Sequence, residues 1–551
     1  MGHRICRLAF ALLLPWLCSL AWAEAPKDST SMDSATAAAP APRDLHTILQ
    51  PLTERSFATK EAAIRALAAQ DSPRVVPLLQ ALMDRKLLHW KDQDRIVLGK
   101  KVDGDWQLSD PVTGQPLATV GRRDARAVVI NNHLRTVINN QLALRSLNSP
   151  DSEQRLHAAN QLIGNQAPDM IAALQQRLTV ETNSTVRDEI STALNIAALH
   201  SDDLNTRLQA IDALSGDLHP TVKNTLNQRL RVSDSKQEKA AASKAITGIE
   251  ARIARYQTAD TLFFGLSLGS VLLLAAIGLS ITFGVMGVIN MAHGELIMLG
   301  AYTTYVVQQL LPNSHEWSLI IAIPAAFMVS GFVGILIERF VIRYLYGRPL
   351  ETLLATFGVS LILQQAVRVI FSPLNRTVVT PDWMSGAWQI NPVFSLTYNR
   401  LYIIFFALAV FLSLLTLLKK TRLGLQVRAV SQNRNTARAL GIRSERVNAL
   451  TFGLGSGIAG IAGVALAQLT NVGPNLGQSY IIDSFMVVVF GGVGNLWGTL
   501  TAAFGLGIAN KLLEPMAGAV LAKILVLVFI ILFIQRKPRG LFPQRGRAAE
   551  E

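Results

Sequence analysis

The stretch Phe283-Gly-Val-Met-Gly-Val-Ile-Asn-Met-Ala-His-Gly-Glu-Leu-Ile-Met-Leu-Gly-Ala-Tyr302 decides how this chain is to be read. It is apolar enough to lie in lipid, yet Asn290, His293 and Glu295 interrupt it among glycines. Polar groups at membrane depth are costly, and a broken, glycine-rich helix is tolerated there only where it faces a cavity or other protein. The pattern leaves two readings open: a discontinuous helix lining a solute pathway, or a cytoplasmic turn between two ordinary spans.

Around it, apolar runs long enough to cross a bilayer recur at 261–283, 284–311, 318–338, 350–371, 401–418, 449–470, 481–494, 496–513 and 519–535. They predict eight or nine crossings, depending on the short run 481–494. Between Lys419 and Arg446 the loop carries eight Lys and Arg residues against one acid, Glu445, which makes it cytoplasmic by the positive-inside rule. Arg339, Arg343 and Arg348 mark a second cytoplasmic turn. Arg536, Lys537, Arg539, Arg545 and Arg547 put the C-terminus on the same side, and nine crossings then leave Arg255 outside. The 372–400 loop, with Trp383 and Trp388, falls in the periplasm. A second glycine-rich passage, Thr451 to Asn495, has small residues at spacings that let helices approach closely, so packing is its simplest explanation.

Composition agrees with this division. The 551 residues are 50% hydrophobic and 16% charged, and the charges concentrate between Lys27 and Arg255. Much of the net charge of +14 sits in loops between apolar runs, so it marks membrane orientation rather than nucleic-acid binding. The two cysteines, Cys6 and Cys18, both precede the expected cleavage point, which leaves no disulfide frame and no thiolate metal site. Arg4 and Arg7, the apolar run Leu8 to Leu20 and Ala21-Trp22-Ala23 read as a signal peptide, residues 1–23, with an uncleaved anchor as the alternative. Residues 24–44, rich in Ala, Pro, Ser and Thr, read as a disordered linker.

From Leu45 to Arg255 the pattern is helical and weakly repetitive. Lys60-Glu-Ala-Ala-Ile-Arg-Ala-Leu67 aligns with Arg155-Leu-His-Ala-Ala-Asn-Gln-Leu162 and Arg207-Leu-Gln-Ala-Ile-Asp-Ala-Leu214, each followed by a turn and a second amphipathic helix. Stacked helix pairs resemble degenerate HEAT-type repeats; an irregular bundle fits as well. Arg95 to Trp106, with Thr113 to Pro116, reads as a small β-hairpin insert. His89, His133, His157, His200 and His219 are scattered without ligand spacing. The expected fold is therefore all-α: a polytopic α-helical membrane protein over 261–545, preceded by an exported HEAT-like domain over 45–255 that holds the hairpin.

Gly287-Val-Ile-Asn-Met-Ala-His-Gly-Glu-Leu296 is similar to the hallmark of the branched-chain amino acid permease family of ABC importers. So are Thr421-Arg-Leu-Gly424, Arg428 to Ile442, Ala449-Leu-Thr-Phe452 and Val489-Phe-Gly-Gly-Val-Gly-Asn495. The chain resembles the urea permease subgroup in its signal peptide and long periplasmic helical extension. The resemblance implies a second permease subunit, two cytoplasmic ATP-binding subunits, a periplasmic solute-binding protein and no cofactor or metal. It also implies an ATPase-docking helix, with Arg434 and Arg438 exposed and Ala437, Ala439, Leu440 and Gly441 packing into the partner's groove. No acid precedes Ala437, a departure from the fuller signature of other ABC importers.

No Gly-x4-Gly-Lys-Ser/Thr loop occurs, so the chain is a transport subunit and not itself an ATPase. The expected pathway residues are Asn290, His293, Glu295, Gln364, Gln365, Gln468, Asn471 and Asn495; a neutral solute such as urea needs only neutral donors and acceptors, for which Asn290, Gln364, Gln365, Gln468, Asn471, Asn495 and Asn510 are the candidates at membrane depth. A zwitterionic amino acid also needs charges, for which Glu295, Arg368, Asp483 and Lys511 stand near. That balance favours urea over branched-chain amino acids or short amides. A passive channel or a membrane sensor is the reading from another class.

Overall fold

The computed structural model describes residues 44–102, 105–121, 123–312 and 314–542. The expected signal peptide, the linker up to residue 43, Arg545 and Arg547 lie outside them. The chain divides into two compact units, 1–150 and 151–551.

In the first unit, helices α1 (Leu45–Leu49), α2 (Phe57–Ala68) and α3 (Val75–Met83) precede five strands, β1 (Leu87–Trp90), β2 (Arg95–Val102), β3 (Asp105–Ser109), β4 (Pro116–Val120) and β5 (Ala125–Ala127), and helix α4 (Asn132–Ser146) follows them. The strands form one antiparallel sheet in the order β4-β3-β2-β1-β5. This corrects the all-α expectation. The anticipated hairpin is β2 with β3, pairing Lys100 with Gln107, but it is only the middle of the sheet. β1 hides from periodicity because both its faces are covered. Leu87 joins the helical core with Ile64, Leu78 and Leu82, while Leu88 and Trp90 join Val97 and Leu108 on the other face.

The second unit opens with α5 (Ser152–Leu162), α6 (Pro168–Val180), α7 (Ser184–Ala198), α8 (Leu204–Ala213) and α9 (Pro220–Val232), and continues into α10 (Lys236–Met286). The recurring arginines Arg155 and Arg207 are separated by three helices, so the repeat expected as a helix pair is a triplet, α5-α6-α7 and α8-α9-α10. Each copy closes on a buried ion triad. Glu181, in the α6–α7 turn, takes Arg155 at 2.8 Å and Arg177 at 2.9 Å. Glu238, in the first turn of α10, takes Arg207 at 3.0 Å and Arg229 at 2.8 Å.

The Arg155 hydrogen bond, outweighing the opposing cost of burial and helped by the Asn183 amide and Arg177, pulls the Glu181 carboxyl down to about 2. A carboxyl depressed on folding stabilises above its unfolded pKa and loses that contribution as pH falls through the folded one. The triad is therefore expected to hold above the ordinary 4.5 and to fail as pH falls toward about 2. Glu181→Gln leaves buried guanidinium without its counter-charge and is expected to destabilise the helical segment by ~3–5 kcal/mol. Limited proteolysis of residues 151–255 in the purified protein measures it, and a wild-type digestion profile would refute the triad's role.

α10 has 51 residues, about 76 Å at 1.5 Å per residue. The third helix of the second triplet thus runs unbroken into the apolar region, where the sequence suggested a domain boundary. There follow α11 (His293–Leu310), α12 (His315–Phe340), α13 (Pro349–Phe371), a β-hairpin of β6 (Ala387–Asn391) and β7 (Phe394–Thr397), α14 (Tyr398–Lys420), α15 (Arg422–Gln432), α16 (Arg434–Ala439), α17 (Ser444–Ala467), α18 (Leu476–Gly491) and α19 (Leu496–Arg536). Six of these, α10, α12, α13, α14, α17 and α19, are long and apolar enough to cross a membrane, so the chain is a multi-pass membrane protein.

All nine expected runs are helical, but they are not nine separate spans. Runs 496–513 and 519–535 join in α19, interrupted at Gly518, whose φ is +79°. The 284–311 and 481–494 runs become the shorter α11 and α18, each starting after a break. α10 and α17 are central, with 78% and 83% of their apolar windows buried, whereas α13 and α19 are 17% buried and present apolar side chains outward. Central helices can come this close because glycine faces glycine: a Cβ on Gly278 would collide with the Gly455 carbonyl.

The bundle has two chemically distinct ends. At one, Val285 packs with Val427, Val430 and Val447, and Arg343 pairs with Glu445 at 2.9 Å. This end gathers the basic 419–446 loop. At the other, Gln308 donates to the Val379 carbonyl at 2.9 Å, Arg376 and Val472 form a β-bridge, and Tyr256 stacks on Phe394.

Candidate solute pathway

α10 ends at Met286, capped by Gly287 in the left-handed region at φ +65°. Residues 287–292 then turn back into the bundle. Asn290 Oδ1 accepts from the Ala292 amide at 3.0 Å, and Thr356 Oγ1 accepts from the Met291 amide at 3.2 Å. His293 Nε2 donates to the Ala275 carbonyl at 2.8 Å. Ala275 lies eleven residues before Met286, about 16 Å along the axis, which is half of a ~30 Å hydrocarbon core. The first turn of α11 therefore sits in the middle of the bundle, which favours the discontinuous helix over the cytoplasmic turn for His293 and Glu295. The aligned peptide dipoles of α11 make this a positive helix end at depth.

A second break mirrors the first. α17 ends at Ala467, residues 468–475 are non-helical, and α18 starts at Leu476. Gly477 meets Gly294 backbone to backbone, so the beginnings of α11 and α18 touch. α10 runs toward the basic end and α17 away from it, so the two break-and-restart units are inverted relative to each other, an arrangement that transporters use to build midplane solute sites.

α13 closes the third side with one polar group per turn. Ser360 donates to Glu295 Oε1 at 3.0 Å, Gln364 Nε2 to the Asn475 side chain at 3.2 Å, and Arg368 to the same Asn475 oxygen at 2.9 Å. Gln478 Oε1 stands 3.5 Å from Gln364. Three buried atoms at the start of α11 have no partner among the described residues: Asn290 Nδ2, His293 Nδ1 and Glu295 Oε2. Each is a group that costs about 1–3 kcal/mol when buried unpaired. Together they offer a donor, a ring nitrogen whose other position already donates, and a carboxylate oxygen.

Of the residues expected to line the pathway, Asn290, His293, Glu295 and Gln364 come together here. Gln365 is on the exposed face of α13, and Asn471 is exposed in the second break. Gln468 lies apart, lining an apolar cavity of about 160 Å³ with Leu319, Ile323, Trp383 and Phe406. Asn495 caps α19, accepting from the Trp497 and Gly498 amides at 3.1 and 3.2 Å. Ser360, Asn475 and Gln478 were not foreseen: a lone serine on an apolar helix carries no signal, and Gly473-Pro-Asn475 reads as an ordinary loop.

The segment expected to dock an ATP-binding subunit contains the short helix α16, capped by Asn433, whose side chain accepts from the Thr436 amide at 2.9 Å. Its assigned faces need correction. Ala437 is buried among Val427, Val430 and Val447 of its own chain, and Arg434 is half-buried over the Tyr346 ring, 4.4 Å from its centroid. Arg438 donates to Ser444 Oγ at 2.8 Å while staying exposed. Ala439, Leu440 and Gly441 face outward, Leu440 being 78% exposed. Among the described residues no group of three or more His, Cys, Asp or Glu side chains is placed to hold a metal ion.

A family profile described as "Branched-chain amino acid transport system / permease component" matches residues 261–534, the segment that carries both breaks. The high-affinity branched-chain amino acid transport system permease protein LivH of Escherichia coli (strain K12) is 30% identical over 290 residues, which cover 51% of this chain and 94% of that protein. The chain belongs to this family. The permease is also similar to BraD of Pseudomonas aeruginosa, at 29% identity over 295 residues, 52% of this chain and 96% of that one. Its similarity to the ribose import permease protein RbsC of Escherichia coli (strain K12) is 26% over 285 residues, 50% and 84% of the two chains. No solved structure matches. The helical and β elements of residues 44–255 lie outside the segment that the family profile matches.

Proposed function

We propose that this chain is the membrane permease subunit of an ABC importer for urea, with the solute crossing where α11 and α18 meet. The observation that carries the reading is the unpaired set at the first break, Asn290 Nδ2 as donor and Glu295 Oε2 as acceptor. Urea presents a carbonyl and two amino groups and complements both without needing a countercharge. Ser360, Gln364, Asn475 and Gln478 extend the same neutral chemistry along α13 and α18. The basic end is cytoplasmic and docks two ATP-binding subunits through Ala439, Leu440 and Gly441. Residues 24–255 are periplasmic, the triplet repeats standing as a HEAT-like domain behind a signal peptide. A second permease subunit and a periplasmic solute-binding protein complete the importer.

Branched-chain amino acids are the second reading, favoured by what the names of LivH and BraD say of those proteins and by the opposite charges of Glu295, which accepts from Ser360, and Arg368, which donates to Asn475. A passive channel has no use for an exposed apolar docking helix on a basic loop. Uptake of labelled urea by cells expressing the complete transporter, challenged with excess unlabelled leucine, separates the two. The expected result is urea uptake that leucine leaves unchanged. Leucine uptake that urea does not inhibit would replace the first reading with the second.

A further inference from the structure

Two links tie α16 to the end of α12. Arg434, the first residue of α16, lies over the ring of Tyr346, and the Tyr346 hydroxyl donates to Glu338 Oε1 at 2.6 Å. Glu338 belongs to α12 and is 1% exposed. Beside this, Glu445 forms ion pairs with Arg438 of α16 at 3.6 Å and with Arg343, just beyond α12, at 2.9 Å. The second link is solvent-exposed at both ends and contributes little. The first is anchored on a buried carboxyl group, and loss of its hydrogen bond leaves an unmet buried group.

Two turns further along α12, Ser330 Oγ donates to the Leu296 carbonyl at 2.9 Å, and both residues are fully buried. Leu296 follows Glu295 at the first break. Between these points Gly331 packs against Gly453, and Gly334 against Ser456, so the helix lies close against α17 in a tightly packed contact. One helix therefore connects Glu338, where α16 is fastened through Tyr346, to Ser330, about 12 Å away along its axis, and through Ser330 to the backbone of the broken helix.

We infer that α12 is the rod that transmits docking-helix movement to the first break, and that Tyr346 and Glu338 are the positioning residues that fasten α16 to it. The inference rests on the reading of α16 as the ATPase-docking helix and goes beyond it. Two sites joined by a packed element couple only through links whose breakage changes both, and such links modulate coupling without touching either ligand.

The test uses the complete transporter reconstituted in liposomes with its ATP-binding subunits and binding protein. Labelled urea and labelled leucine are both offered to the wild type, and the one taken up becomes the probe, so a wrong solute assignment shows in the wild type alone. Copurification of the ATP-binding subunits that is lost in Leu440→Asp but kept in Tyr346→Phe confirms where docking lies. Tyr346→Phe keeps the ring beneath Arg434 and removes only the hydroxyl. Uptake is expected to fall roughly fivefold or more while copurification and ATP hydrolysis persist, because hydrolysis is no longer conveyed to α11. Glu338→Gln keeps an acceptor for the hydroxyl and is expected to stay within about twofold of wild type. Tyr346→Phe with wild-type uptake overturns the inference. So does an uptake loss that only follows lost protein or lost copurification, since that marks a folding role.

Discussion

Gly294→Val is expected to remove most of the folded permease from the membrane and all of its transport. A Cβ built on Gly294 falls 2.6 Å from the Gly477 carbonyl oxygen and 2.9 Å from its carbon, distances that real Cβ contacts do not reach. The obstacle is backbone, so no rotamer change relieves it. Overpacking a well-filled interior costs about 1–3 kcal/mol where side chains can shift, and a backbone-to-backbone collision exceeds that range. Valine adds two further methyl groups and stiffens χ1. The matched control is Gly505→Val in α19, where an added Cβ meets nothing within 4 Å. Membrane abundance and the thermal midpoint of the detergent-solubilised protein report the outcome. If Gly294→Val is as abundant and as active as the Gly505 control, then α11 and α18 do not touch at their beginnings, and the meeting of the two breaks is wrong.

What was legible in the sequence follows from what each environment demands of it. Lipid demands apolarity over a fixed length, so the runs from Thr261 onward could be placed, and the basic 419–446 loop could be assigned to one end with Arg343. The first break could be seen because Asn290, His293 and Glu295 stand out against apolar neighbours. The second could not, since Gly473-Pro-Asn475 resembles any connection between spans, and what shows it dipping inward is contact: Asn475 with Gln364, and Gly477 with Gly294. Ser360 is invisible for a related reason: one hydroxyl on an apolar helix also satisfies its own backbone. The continuity of α10 was hidden by charge. Arg252, Arg255 and Asp260 suggest a boundary, yet no glycine or proline falls between Glu250 and Phe264, and helix is interrupted by backbone chemistry rather than by side-chain polarity.

Asn290→Leu is expected to abolish uptake, and Asn290→Asp decides why. Asn290 is fully buried, and its two side-chain atoms have separate fates: Oδ1 accepts from the Ala292 amide at 3.0 Å, and Nδ2 has no partner among the described residues. Leucine removes both, stranding an amide at the start of α11 and deleting the one donor at the break. Aspartate keeps the acceptor for Ala292 and exchanges the unpaired donor for a second oxygen. If Asn290 acts only as the cap of the first break, the aspartate variant should be as abundant and as active as the wild type, because carboxylates cap helix starts as well as amides do. If Nδ2 is the donor that receives the solute carbonyl, aspartate should leave abundance and ATPase-subunit binding intact while uptake falls about tenfold or more, the cost of one unmet buried hydrogen bond of ~1–3 kcal/mol. The second outcome is the one expected, since a donor left unpaired at mid-depth is paid for only if something passes that uses it. Uptake measured beside membrane abundance for both variants distinguishes them, and an abundant, fully active Asn290→Asp removes Nδ2 from the pathway.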